Sequence, residues 1–509
     1  MLSQITSYGF SGIDGFAVQV EVDVSGGLPC YETVGLPDAS VRESKERVRS
    51  AIKNSGFDYP NARITISLAP ADMRKEGSMY DLPIAIGLLT ATGQLPQTKA
   101  GECLFVGELA LDGHIRGVAG VLPMLISARA QGVTRAVLPA DNVEEAAYIE
   151  GVEVFAVTDM ADAAALVKSN FARTPCPHKL WHASDVRYQT DFSDIKGQQG
   201  AKRAAEVAVA GGHNLLLVGT PGSGKTMLAR AIPGILPELT FEEAIQITKI
   251  HSVTGMLKRG SGIVSERPFR APHHSASSIS LVGGGSKAMP GEVSLAHGGA
   301  LFLDELPEFK KEALESLRQP LEDGEITITR ANFRSTYPAQ FMLIAAMNPC
   351  PCGNFGSRHA QCRCTMAQVQ KYRNRVSGPM LDRIDLHVEM TEVEYDDIVS
   401  REAKAESSAA VRARVDAARM LQRRRFVKDR IFSNAQMNNR LIEKYCALDA
   451  EAETLLKQAF KMLNLSARAY HRILKVARTI ADLDGQEKIA AQHVAEAIQY
   501  RSVDSKYWE

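Results

Sequence analysis

The run Gly219-Thr220-Pro221-Gly222-Ser223-Gly224-Lys225-Thr226 constrains this chain more than any other stretch. Before it stands Leu215-Leu216-Leu217-Val218, an apolar run that reads as a buried strand. After it comes Met227-Leu228-Ala229-Arg230-Ala231-Ile232, which reads as a helix. A Gly-rich loop between a strand and a helix is the setting of a phosphate-binding loop. Its glycines let backbone N–H groups curl around phosphate oxygens. Lys225 is placed for the β- and γ-phosphates and the Thr226 hydroxyl for Mg²⁺. The spacing predicts a site for ATP or GTP.

Two later segments fit the same site. Ala300-Leu301-Phe302-Leu303 is an apolar run that ends in Asp304 and Glu305. Asp304 is predicted to hold the Mg²⁺ shell, and Glu305 to polarise the attacking water as general base. Phe341 to Met347 is a further apolar strand, ending in Asn348-Pro349. The Asn348 amide either orients the lytic water or simply forms a turn before the proline.

The remaining chain divides by pattern. Residues 1–169 alternate strand-like and helix-like segments: strands at Ala17 to Val24, Arg63 to Leu68, Val133 to Leu138 and Val152 to Val157, and helices at Asp38 to Asn54 and Asp81 to Thr92. Residues 170–191 lose the pattern and carry Pro175 and Pro177, as a linker does. Residues 192–394 form the nucleotide-binding core. Residues 395–509 are almost entirely helix-forming. Acidic and basic residues balance at 59 each, so any basic surface must be local. No apolar run has the length of a membrane span, and the N-terminus lacks the pattern of a secretory signal. A cytoplasmic protein without a membrane partner is expected.

Of eight cysteines, four crowd into 350–364 as Cys350-Pro351-Cys352 and Cys362-Arg363-Cys364. In a chain of this class the clustering favours a metal over disulfides, and four thiolates suit tetrahedral Zn²⁺. The alternative is four reduced thiols in a loop. Glu325-Ile326-Thr327-Ile328-Thr329-Arg330, interrupted by Ala331-Asn332-Phe333-Arg334 and followed by Ser335 to Pro338, reads as a hairpin. Many arginines between Arg412 and Arg430 form a basic run, which is either a solvated face or a contact surface.

The succession of phosphate loop, acidic strand end and strand ending in Asn resembles the AAA+ ATPases, and most closely the clade of magnesium-chelatase ATPase subunits and replicative MCM helicases. The segment Ser377-Gly378-Pro379-Met380-Leu381-Asp382-Arg383-Ile384-Asp385 is similar to that clade's arginine-finger motif. The resemblance implies that Arg383 reaches the ATP of a neighbouring subunit. It also implies that Arg468, in the helix begun by Ser466, is the second sensor on the γ-phosphate, with Arg472 as competitor. In related helicases a hairpin such as 325–338 lines the pore, so Arg330 and Arg334 would meet DNA phosphates. Lys287, in the Gly-rich loop Leu281 to Pro290, is a further pore candidate.

With Arg270-Ala271-Pro272-His273-His274, the cysteine cluster and the N-terminal region added, the whole chain resembles the bacterial YifB/ComM family of magnesium-chelatase-like AAA+ proteins. That implies an α/β AAA+ core with a C-terminal helical lid. It also implies an ATP- and Mg²⁺-dependent homo-hexamer that acts on single-stranded and branched DNA with recombination proteins and promotes branch migration in natural transformation. The alternatives are a magnesium-chelatase-type ATPase subunit and an AAA+ unfoldase or protease. Leu68 to Asp141 is similar to the proteolytic domain of Lon. Its nucleophile and base positions fall on Met79 and Leu122, which cannot do that chemistry. A displaced pair, Ser78 with Lys75, is the remaining way to a protease.

Overall fold

The computed structural model describes all residues except 98–101, 184–187, 258–261, 286–287, 331–332, 358, 393–405, 430, 463–464, 502–506 and 508–509, and describes Arg330 and Phe333 by backbone alone. The described residues form two compact units. One is Met1–His182 with Phe241–Ser265, the other Ala183–Thr240 with Glu266–Glu509. Among them no helix is long and apolar enough to cross a membrane.

The first unit is built on a seven-stranded mixed sheet. From edge to edge it runs Cys30–Val34, Arg63–Ala69, Asp14–Ser25, Leu2–Ser11, Cys103–Phe105, Arg135–Pro139 and Glu153–Val157. Alternation in Asp14–Ser25 puts Val18, Val20 and Val22 into the core and their neighbours outward. The helix Ala39–Asn54 starts where its cap dictates: the Asp38 carboxylate accepts the Val41 N–H at 2.8 Å. The helix Asp81–Ala91 is apolar on every side because nearly all of it is buried.

Phe241–Val253 departs from the sequence reading, which placed it within the nucleotide-binding stretch. This helix packs on Val121–Ala130 and so completes the first unit. A polar requirement holds it there. Glu145 is buried, burial pushes its pKa up, and its carboxylate takes donors from Asn142 at 2.7 Å and from the Ser252 hydroxyl at 3.0 Å. The Ser252 carbonyl in turn accepts the Gly120 N–H at 3.2 Å.

The second unit contains a five-stranded parallel sheet ordered Phe269–Arg270, Ala300–Leu303, Met342–Met347, Leu215–Gly219 and Leu386–Met390. Leu215, Leu216, Leu217 and Val218 are all fully buried, as a strand covered on both faces requires. Helices Ser408–Arg425, Ala467–Leu483 and Ala491–Gln499 continue this core. The basic run lies on the first of them and is largely consumed inside the chain. Arg412 bonds the Gly234 carbonyl, Arg414 pairs with Glu206, Arg419 bonds the Val209 carbonyl, and Arg425 pairs with the buried Asp482. Arg412, Arg414 and Arg419 fasten the helical region to the core, and Arg425 ties two of its helices together.

Candidate active site

Strand register gathers the nucleotide-site residues. Val218 pairs with Met347 and Leu303 with Ala345, so the phosphate loop, Asp304 and Asn348 all leave the same edge of the sheet. Gly222 and Gly224 have φ of 80° and 92°, a region that residues with a Cβ adopt at a cost. Gly219 is required for space: a Cβ there would lie 2.5 Å from the Met390 carbonyl oxygen. The Lys225 ammonium is held by the Gly219 carbonyl at 2.7 Å and the Thr220 carbonyl at 2.8 Å. Burial pulls its pKa down to about 8 against the attraction of Asp304. The Thr226 hydroxyl donates to Asp304 at 2.9 Å, which joins the two oxygen ligands expected for Mg²⁺. The Thr220 and Ser223 hydroxyls are buried without a partner. Unsatisfied hydroxyls beside a caged lysine are what a loop awaiting phosphate oxygens shows.

Glu305 is exposed and has φ of 53°, an uncommon backbone state for a residue with a side chain. Its carboxylate lies 3.1 Å from His274 Nδ1. Sequence spacing gave no sign of that contact; the two residues meet because they follow adjacent parallel strands. The rings of His273 and His274 lie with centroids 4.0 Å apart, tilted by 35°. Asn348 is partly buried.

Arg383 is not brought to this edge. The Arg383 carbonyl accepts from Asn214 Nδ2 at 2.8 Å, and Asn214 immediately precedes the five-residue strand Leu215–Gly219 whose far end carries the phosphate loop. The two lie about 16 Å apart along that strand, at about 3.3 Å per residue. The Arg383 side chain pairs with Glu322 of its own chain. Arg472 lies at the same edge as Arg383, 3.5 Å from Asp385. Burial alone would raise the Asp385 pKa, but Arg472, His213 and Lys475 hold it well below the usual carboxylate range. Arg468, one turn before Arg472 on the helix capped by Ser466, is exposed.

The four cysteines converge. The sulfurs of Cys350, Cys352, Cys362 and Cys364 lie within 4.8 Å of one another, with separations of 3.4, 3.7 and 3.7 Å among the first three. Four thiolates around Zn²⁺ at 2.3 Å stand about 3.8 Å apart, so the arrangement fits that ion. The Phe355 N–H points at the Cys350 sulfur at 3.3 Å, and backbone N–H groups of Asn354 and Arg363 pull the Cys352 thiol down to about 6. The same loop touches the nucleotide site: a Cβ on Gly353 would lie 2.5 Å from Pro221 Cγ.

The hairpin forms as expected, Glu325–Arg330 against Phe333–Pro338, with Arg330 opposite Phe333. Arg334 is exposed on it. Ile328 and Tyr337 are turned inward; Tyr337 donates to the Ala288 carbonyl at 3.0 Å and Ile328 closes on Gly283. The Gly-rich ribbon therefore packs beside the hairpin. Lys287 lies outside the described residues, as does the side chain of Arg330.

In the first unit Met79 and Leu122 are buried. The displaced protease pair is not assembled. Lys75 is fully buried and donates to the carbonyls of Pro70 and, at 2.7 Å, Met73, while the Ser78 hydroxyl donates to Glu108. A buried ammonium needs carbonyl acceptors, and here they take it away from the serine.

Three family models match this chain. That for magnesium chelatase, subunit ChlI, covers residues 191–398; that for the ChlI C-terminal region covers 405–501; and one described as subunit ChlI of Mg-chelatase covers 20–142. The N-terminal unit thus shares the chelatase description and does not by itself separate this chain from chelatase subunits. Extent of similarity does separate them. Competence protein ComM of Haemophilus influenzae is 44% identical over 99% of this chain and 98% of its own length. The uncharacterized protein YifB of Escherichia coli is 45% identical over 97% and 96%. The magnesium-chelatase 67 kDa subunit of Chlorobaculum tepidum is 27% identical over only 31% of this chain and 23% of itself. Identity at this level across nearly every residue, over an α/β ATPase sheet with its phosphate loop and acidic strand end, makes this chain a member of the YifB/ComM family of magnesium-chelatase-like AAA+ ATPases.

Proposed function

We propose that this chain is an ATP-driven DNA motor that works as a homo-hexamer and moves branch points in recombination intermediates during natural transformation, in the cytoplasm and alongside recombination proteins. The observation that carries the reading is near-complete similarity to a competence protein, spanning hairpin, cysteine cluster and N-terminal unit alike. A magnesium-chelatase-type subunit is supported by the three chelatase family models, but the chelatase subunit itself is similar over only 31% of this chain.

Lys225 exchanges the Gly219 and Thr220 carbonyls for the β- and γ-phosphates, and backbone N–H groups from Gly219 to Thr226 cradle them. Thr226 and Asp304 are the ligands for Mg²⁺, which neutralises charge on the phosphate oxygens. Glu305 accepts a proton from the attacking water, which the Asn348 amide orients. Arg383 stabilises transition-state charge on a neighbour's nucleotide. Its distance along the strand from its own phosphate loop supports action between subunits, and the position of Arg472 at the same edge supports the same for Arg468. Cys350, Cys352, Cys362 and Cys364 hold Zn²⁺, which braces Asn348 and Pro221 without entering the chemistry. Arg330, Arg334 and Lys287 meet DNA phosphates, the sequence-independent source of affinity.

The deciding experiment measures ATP turnover and movement of a four-stranded junction, with and without single-stranded DNA. Turnover stimulated by DNA and loss of both stimulation and junction movement in Arg330→Ala/Arg334→Ala, with basal turnover kept, are expected. No DNA binding at low salt with a non-hydrolysable ATP analogue overturns the DNA reading. Arg383→Ala should bind ATP and lose turnover, and mixing it with Glu305→Gln protein should restore some. Elemental analysis should find about one zinc per chain; less than about a tenth favours free thiols.

A further inference from the structure

The finger segment does not hang free. It is fastened along the connection that leads from the catalytic base to the hairpin. Arg375 donates to Glu308 at 2.7 Å and to the Pro307 carbonyl at 3.3 Å, just beyond Glu305. The Ser377 hydroxyl donates to Glu315 at 2.6 Å, and Arg318 steadies the other oxygen of that carboxylate at 2.8 Å. Arg383 pairs with Glu322, on the short helix Arg318–Asp323. That helix ends at Gly324, with φ of 69°, and the hairpin begins at Glu325. The Gly324 carbonyl also accepts the Ala339 N–H at 2.8 Å, so both legs of the hairpin are tied to the end of the helix that carries Glu322.

Arg383 is largely covered in this arrangement, with 11% of its side chain exposed, whereas Glu322 is 58% exposed. A second bond, to the Pro379 carbonyl at 2.8 Å, folds the guanidinium back on its own turn. Its Nε is buried without an acceptor, and Arg472 lies close enough to repel it. The guanidinium is thus held by Glu322 and the Pro379 carbonyl, with its Nε unsatisfied. An arginine so placed is not extended toward a neighbouring subunit.

The geometry points to Glu322 as a latch on the arginine finger: it retains Arg383 within its own chain at rest and releases it to the neighbour's nucleotide when the hairpin is displaced by DNA. This rests on the reading of Arg383 as an intersubunit finger. Glu322 is a positioning residue, since it touches neither nucleotide nor DNA. The device makes hydrolysis in one subunit depend on the occupancy of the next subunit's hairpin, with no contact from DNA to the nucleotide.

The test uses the full-length assembled protein and an oligo-dT single strand. Glu322→Gln keeps the shape and removes the charge. DNA-free turnover should rise about two- to five-fold, the range that a part-exposed ion pair allows. Turnover at saturating DNA should stay unchanged, so the stimulation ratio falls by the same factor, and KM for ATP should not move. In Glu322→Gln/Arg383→Ala the gain should vanish, because it acts through the finger. A merely structural role for Glu322 would lower turnover or leave it alone, and either result overturns the latch. So does a gain that persists without Arg383. If Arg383→Ala itself turns over normally, the finger assignment fails instead. If the wild type ignores DNA while Glu322→Gln still accelerates, the link to the hairpin is overturned and the grip on Arg383 stands.

Discussion

Two buried lysines, one in each unit, make an instructive pair. Lys225 and Lys75 both donate to two backbone carbonyls of a nearby turn, and burial lowers the pKa of both. Each has a serine close by in sequence. Around Lys225 the hydroxyls of Thr220 and Ser223 are left without partners, and the carboxylate of Asp304 stands one hydroxyl away. Around Lys75 the Ser78 hydroxyl is already given to Glu108, and Asp81 is locked to Arg47 by two bonds of 2.7 and 3.0 Å. A caged ammonium therefore marks a ligand site only where its surroundings still lack partners. Where they are complete, the same cage is internal architecture.

The largest effect that sharpens this contrast belongs to the nucleotide side. Glu305→Gln should lower turnover by about 10²–10⁴, the usual worth of a general base, while ATP binding and assembly persist. A parallel loss of ATP affinity would break the division between Glu305 and the loop. Next, Lys225→Ala should weaken ATP binding by about 10- to 100-fold, because it removes a charge-assisted contact. Lys75→Met should leave ATP affinity unchanged and cost about 1–3 kcal/mol of thermal or denaturant stability, because two buried carbonyls lose their donor. Equal effects of the two substitutions on ATP affinity would erase the comparison.

The pH dependence is smaller. The Lys225 amine has a pKa of about 8 in the folded chain and an ordinary value of 10.5. Phosphate binding favours the charged form, so above pH 8 binding must take up a proton and weakens, at most tenfold per pH unit. Below pH 8 this group adds no dependence. For the nucleotide-free fold the sign is opposite: the cost of burying the charge is full below pH 8 and is relieved as pH rises toward 10.5. Calorimetric ATP titrations from pH 7 to 9.5 check the binding half, and a flat profile contradicts it. The smallest expected effect is none: Ser78→Ala should leave ATP turnover and junction movement as they were. Peptide cleavage by the wild type that this substitution abolishes would restore the protease reading.

The elements named from the sequence were legible because their signals are local, whereas the strand Leu2–Ser11 and the helix Val121–Ala130 were not among them. The helix begun at Asp38 and the alternation of Val18, Val20 and Val22 need no knowledge of distant residues. The phosphate loop, Asp304 and the clustered cysteines were legible for the same reason. What stayed hidden depends on contacts across the fold. His274 meets Glu305 only because two strands lie side by side, and adjacent histidines in sequence say nothing about it. The helix Phe241–Val253 joins the first unit through Glu145 and Ser252, although its chain neighbours belong to the second. The arginines from Arg412 to Arg425 read as an exposed basic face, and acceptors on other helices take most of them.

By itself the sequence determined the chemistry available to this protein: a loop able to wrap phosphate, an acid pair at a strand end, four thiols at metal spacing and a two-stranded basic hairpin. Each is encoded within a few adjacent residues, where steric and hydrogen-bonding rules act directly on the chain. Only the tertiary structure decided which groups are still short of partners. It closed Lys75 and Ser78 into completed bonds, left Thr220 and Ser223 open, and set Arg383 at the opposite edge of the sheet from its own phosphate loop, in the hold of Glu322. Partnership between residues far apart in the chain is a property of packing and strand register, and neither is written in any single segment.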